Sequence, residues 1–190
     1  MRITFLNQKG GVGKSTMSLL IGSVLARAGY DVVIDDRDHT QGTASHFAAT
    51  YGVRTMAQAP GAEYVITDTP GHLKPDELPT LAPLIAQSDR VILVTEKSPA
   101  ALHGAGPMAN VIKEHLRNGA KAYVLFNKVS RRALIGQQDP KVLAADWGME
   151  ALTWEVPRDQ VYENSQAVGL AAVTGEHRTT LLNVALEILR

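Results

Sequence analysis

The chain has 190 residues, 45% of them hydrophobic and 20% charged, with lysine plus arginine equal to aspartate plus glutamate at 19 each. That length predicts one globular domain, residues 1–190, with a proper core, and the zero net charge supplies no global field toward nucleic acid or a membrane surface. The absence of cysteine excludes disulfides, thiolate metal sites and iron–sulfur clusters, and no run approaches the ~20 apolar residues of a membrane span, so a soluble, cytoplasmic protein is expected.

Short apolar runs closed by a polar or turn residue occur at Ile3–Leu6, Val32–Ile34, Tyr64–Ile66, Val91–Val94, Ala122–Phe126 and, more weakly, Leu152–Val156. They predict buried strands of a parallel sheet. Helix-length stretches lie between them at Lys14–Ala28, which stops at Gly29, at Pro99–Arg117 and at Pro140–Trp147. The four prolines of Pro70–Pro83 predict a loop with a short helix. Glu176–Arg190 places Leu181, Leu182, Ala185, Leu186 and Leu189 at helical spacing, and Arg178 and Arg190 are its only Lys/Arg residues. A membrane-lying helix has a Lys/Arg-rich polar face, so this segment reads as a closing helix on the sheet. Strands alternating with helices imply a mostly parallel twisted sheet of about six to eight strands, with helices on both faces.

Between the first strand, Arg2–Leu6, and the first helix lies Lys9-Gly10-Gly11-Val12-Gly13-Lys14-Ser15-Thr16. Such a loop binds polyphosphate through inward-pointing backbone N–H groups and the positive end of the helix dipole. Glycines are needed where a β-carbon would block the approach or forbid the backbone angles. Lys14 is placed to reach the β- and γ-phosphates, and the Ser15 hydroxyl to ligate Mg²⁺. These residues predict a single-domain α/β P-loop NTPase. Two features are unusual: Gln8 stands where the ordinary pattern has glycine, and Lys9 is a second lysine at the start of the loop.

Two further carboxylate segments fall at strand ends, where ligands bind in open α/β sheets. Asp35-Asp36-Arg37-Asp38 follows the second strand, and a solvated acidic turn is its plain alternative. Asp68-Thr69-Pro70-Gly71 follows the third: Asp68 is placed as a partner of Mg²⁺ through water, and the Gly71 N–H as a γ-phosphate contact.

The loop pattern resembles the deviant Walker A motif of the ParA/MinD ATPases. The resemblance runs from Met1 to about Gly175. It implies that Lys9 reaches across a nucleotide-sandwich homodimer to the other copy's phosphates. Asp36-x-Asp38 resembles the family's second motif, Asp-x-Asp-Pro-Gln-Gly, which would make Asp36 a support for the Mg²⁺ shell and Asp38 the residue that positions the attacking water. Here His39-Thr40 replaces a single proline, and Asp35 stands where the family has an apolar residue, so which aspartate faces the water stays open. The family's adenine pocket corresponds to Asn127 and to Val156-Pro157-Arg158; the plain reading of Asn127 is a strand-end cap.

Asp68-Thr69-Pro70-Gly71-His72 and Asn127-Lys128 also resemble the switch and guanine-reading motifs of translation-type GTPases. The carboxylate that would accept the guanine donors is Ser130 here, which favours ATP with Mg²⁺.

The short chain and the missing cysteines resemble the small ParF-like partition ATPases more than the iron–sulfur branches. That resemblance implies slow ATP hydrolysis stimulated by a ParB/ParG-like centromere-binding or cargo adaptor protein. It also implies non-specific DNA as a ligand, no membrane anchor, and plasmid or chromosome partition as the task. Arg131, Arg132, Arg158 and Arg178 are the candidate DNA contacts, each with a plain reading as a solvated arginine. The alternatives are positioning of a protein cargo and a metabolic ATP-dependent enzyme acting on a small substrate.

Overall fold

The computed structural model describes residues 1–190, the side chain of Pro75 excepted. Seven strands form one sheet: β1 (Arg2–Leu6), β2 (Val32–Asp36), β3 (Arg54–Thr55), β4 (Tyr64–Asp68), β5 (Arg90–Glu96), β6 (Lys121–Asn127) and β7 (Glu150–Ala151). Their order is β3-β2-β4-β1-β5-β6-β7, and every neighbouring pair is parallel. The first strand made is therefore central, and the carboxyl ends of β1, β2, β4, β5 and β6 meet along one rim. In register, Asp36 of β2 sits beside Asp68 of β4, and Asp68 beside Phe5 of β1.

Alternation along each strand feeds two cores, because successive side chains point to opposite faces. On one face Ile3, Phe5, Ile34, Ile66, Ile92 and Leu125 pack with α1 (Lys14–Arg27) and α7 (Gly175–Leu189). On the other, Leu6, Val91, Leu93, Val124 and Phe126 pack with α3 (Ala82–Ala86), α4 (Pro99–His115) and α5 (Pro140–Ala145). Helices on both faces are what a parallel sheet requires, since each crossover must return across a face. Two more short helices complete the chain, α2 (Thr43–Phe47) and α6 (Gln160–Val168).

The expected strands up to Ala122–Phe126 are all present, and Pro70–Pro83 is a loop with a 3₁₀ turn at Pro75–Leu81 running into α3. Leu152–Val156 is not a strand. The backbone N–H groups of Leu152 and Val156 do reach the β6 carbonyls of Val124 and Phe126, both at 2.9 Å. Between them the ladder is broken because the Thr153 N–H turns out to the Glu187 carboxylate of α7, at 2.8 Å. The closing helix also differs in phase: Leu181, Val184, Ala185 and Ile188 are buried, whereas Leu182 and Leu186 are exposed. Among the described residues, no helix is long and apolar enough to cross a membrane.

Candidate functional site

The rim where the strands end opens into a cavity of about 430 Å³. Its floor is the loop between β1 and α1, where Gly11 (φ +77°) and Gly13 (φ +93°) adopt angles that side-chain-bearing residues rarely take. Val12, fully buried in the core between them, anchors the loop. Gly10, Gly11, Gly13, Lys14, Ser15 and Thr16 all line the cavity, so α1 aims its N-terminal N–H groups and dipole into it.

Lys14 is 6% exposed. Burial lowers the pKa of its ammonium, with the charges of Asp68 and Asp38 pulling the other way. Asp68 is fully buried, and burial pushes its carboxyl up to about 6 against the opposing effects of Ser15, Lys14 and Ser18. Its Oδ1 accepts from the Ser18 hydroxyl at 3.3 Å, while Oδ2 is buried without a hydrogen-bond partner. An orphaned carboxylate oxygen beside Ser15 and the phosphate cradle suits the hydrated shell of Mg²⁺. Among the described residues, no group of three or more His, Asp or Glu could hold a metal alone. Such a cation would be held largely by phosphate and water, as Mg²⁺ characteristically is, with Ser15 and Asp68 as the protein's contribution.

The three aspartates after β2 separate by strand alternation and turn geometry. Asp35 points to the far face, where it is paired with Arg2 at 2.7 Å and Arg37 at 2.9 Å. Asp36 spends both oxygens on backbone N–H groups, those of Asp38 at 3.0 Å and Ser45 at 2.7 Å, and so ties the turn to α2. Asp38 alone of the three lines the cavity. Desolvation works upward on its carboxyl, but hydrogen bonds from Thr40 and Gln41, with the Lys14 charge, hold it below the usual range. Both the Thr40 hydroxyl (2.6 Å) and the Gln41 N–H (3.1 Å) donate to Oδ1.

Lys9 is exposed and lies outside this cavity, and its backbone N–H donates to Asn7 Oδ1 at 2.9 Å. At the other end Asn127, Pro157 and Arg158 line the cavity, with Arg158 3.6 Å from Glu96. Asn127 is buried and donates its amide to the Val12 carbonyl at 2.8 Å, which leaves its Oδ1 outside that bond.

The four arginines proposed for DNA differ in what they engage. Arg158 belongs to the cavity and Arg131 is paired with Glu155 at 2.9 Å. Arg178 is committed to the carbonyls of Val173 (2.8 Å) and Leu170 (2.6 Å), while Arg132 is exposed.

Two cavity residues carry roles that the sequence reading did not assign. Lys128, in a left-handed conformation (φ +53°), donates to the Gly11 carbonyl at 2.6 Å. His72 is also left-handed (φ +59°), and its ring rests on Gly10, where a β-carbon would collide with it. A β-carbon on Gly71 beside it would lie 2.9 Å from Lys14 Nζ and 3.3 Å from the Gly10 Cα.

Residues 3–171 match the family described as the CobQ/CobB/MinD/ParA nucleotide binding domain. Among curated proteins, the chain is 27% identical to maintenance of carboxysome distribution protein A of Gloeobacter kilaueensis, over 89% of this chain and 82% of that protein. It is also 27% identical to the chromosome-partitioning ATPase Soj of Thermus thermophilus, over 83% of this chain and 81% of that protein. Among solved structures, MinD in the MinC:MinD complex of Aquifex aeolicus superposes with a TM-score of 0.76 at 12% identity, covering 99% of this chain and 95% of that one. Apo McdA of Cyanthece does so with a TM-score of 0.72 at 13% identity, covering 100% and 99%. With two differently tasked relatives at equal identity, the small ParF-like branch is not singled out. The chain belongs to the CobQ/CobB/MinD/ParA nucleotide-binding family and is a P-loop ATPase.

Proposed function

We propose that this chain is an ATP-dependent dimerising switch that positions a macromolecular cargo, and that the cargo is a protein assembly. The observation that carries the dimer is the contrast between two lysines on one loop. Lys14 is buried inside the cavity, whereas Lys9 is exposed at the loop's start and outside it. A cation so placed serves a triphosphate held by a second copy rather than its own. Two copies then close around two ATP molecules, each Lys9 reaching the other's phosphates.

Within each site Lys14 binds the β- and γ-phosphates, and Ser15 with Asp68 holds the hydrated Mg²⁺, which offsets phosphate charge when bound. Asp38, ionised and lining the cavity, aligns the attacking water; with its pKa held low it is too weak a base for proton abstraction to be its main contribution. Gly71 and His72, packed on Lys14 and Gly10, form the segment that responds to the γ-phosphate.

Light scattering without nucleotide, with ADP and with ATP tests the reading: mass should double only with ATP. Lys9→Ala should stay monomeric with ATP while still binding ADP. A protein that remains monomeric with ATP and hydrolyses it unaffected by Lys9→Ala is instead a metabolic enzyme. The carboxysome-distribution relative supports a protein cargo. A second reading, DNA partition with a ParB/ParG-like partner, is supported by the chromosome-partitioning relative at the same identity.

A further inference from the structure

The phosphate loop is held by Asn127, the last residue of β6, and by Lys128, which follows it. Lys128 Nζ donates to the Gly11 carbonyl at 2.6 Å, and Asn127 Nδ2 to the Val12 carbonyl at 2.8 Å. These are successive peptide units. In a planar trans peptide the carbonyl of one residue and the N–H of the next point in opposite directions. Drawing the Gly11 and Val12 oxygens toward β6 therefore turns the N–H groups of Val12 and Gly13 the other way.

The loop needs this restraint because its glycines make it easy to flip. Gly11 and Gly13 have φ of +77° and +93°, where glycine moves freely between basins. A flipped peptide would present a carbonyl oxygen to an incoming phosphate instead of a donor.

We propose that Lys128 is a positioning residue for the phosphates, its ammonium pinning the Gly11 peptide so that the cradle presents donors only. The left-handed backbone at Lys128 (φ +53°) turns the chain so that its side chain comes back over the loop. Glu96 tethers it at 3.8 Å and also lies 3.6 Å from Arg158, which joins the pin to the other end of the cavity. The inference rests on this cavity being the ATP site, and on neither the dimer nor the cargo.

The test is competition of ADP and of adenosine, separately, against a fluorescent ATP analogue. Removing a charge-assisted hydrogen bond should weaken ADP at least about tenfold in Lys128→Met. Adenosine, which has no phosphate to meet the cradle, should lose far less affinity than ADP. Lys128→Arg should restore most of the ADP affinity. Lys128→Gly, which removes the strained backbone together with the ammonium, should weaken ADP as Met does. Unchanged ADP affinity in Lys128→Met, or equal loss for ADP and adenosine, would overturn the proposal. So would recovery in Lys128→Gly, which would assign the effect to the backbone. Failure of the wild type to bind ADP would instead remove the nucleotide reading beneath it.

Discussion

Burial acts in opposite senses on two charged groups beside the phosphate loop, lowering the Lys14 ammonium and raising the Asp68 carboxyl to about 6 from an ordinary 3.8. A carboxyl whose folded pKa is raised takes up protons on folding, so its contribution to stability is full below its unfolded pKa and is lost as pH rises through the folded one. In the nucleotide-free protein, the stability of wild type relative to Asp68→Asn should therefore fall between pH 3.8 and about 6. Urea titrations across that window measure it; a flat difference would contradict the assigned burial. Asp38 carries the opposite shift and should be ionised throughout the neutral range. Asp38→Ala should slow ATP hydrolysis by roughly 100-fold through loss of water alignment, while ATP-dependent dimers persist. Phosphate-release assays beside light scattering separate the two effects. The sequence left three aspartates in competition because a run of acids has no visible direction. Only strand alternation and the turn show Asp35 on the far face with Arg2, and Asp38 in the cavity.

Elements were easier to read than their edges. The buried strands announce themselves as short β-branched runs, because a strand covered on both faces has nothing polar to alternate with. β3 and α2 are too short to carry a period, at 2 and 5 residues. α7 shows how phase escapes a sequence reading. Leucines at 181, 182 and 186 fit two adjacent stripes, and Val184 and Ile188 decide between them by packing on the sheet face that α1 also covers. Leu181→Ala, which opens a cavity in a fully buried site, should cost roughly 2–5 kcal/mol. Leu186→Ala, at 45% exposure, should cost under about 0.5 kcal/mol. Urea midpoints for the two variants check the phase directly.

At the scale of the whole molecule, the proposed ATP-closed pair would have its task decided by what it holds. If DNA is held, retention should require ATP rather than ADP and should weaken with salt, as phosphate-backbone binding does. Filter binding at two salt concentrations measures this, and retention equal in ADP and ATP would leave the protein-cargo reading alone. The phosphate loop was legible from eight consecutive residues. Its restraint was not, because Asn127 and Lys128 lie 115 and 117 positions from the carbonyls they hold, and no local pattern records such a contact. The same separation orders events in time. Residues 9–16 are among the first made, yet β1 waits for β4 and β5 to flank it, and the loop waits for residues 127 and 128 to fasten it. Until then the glycines are loose and the cradle has no fixed polarity. On the Lys128 proposal, an emerging polypeptide should therefore grip ATP only late in its synthesis.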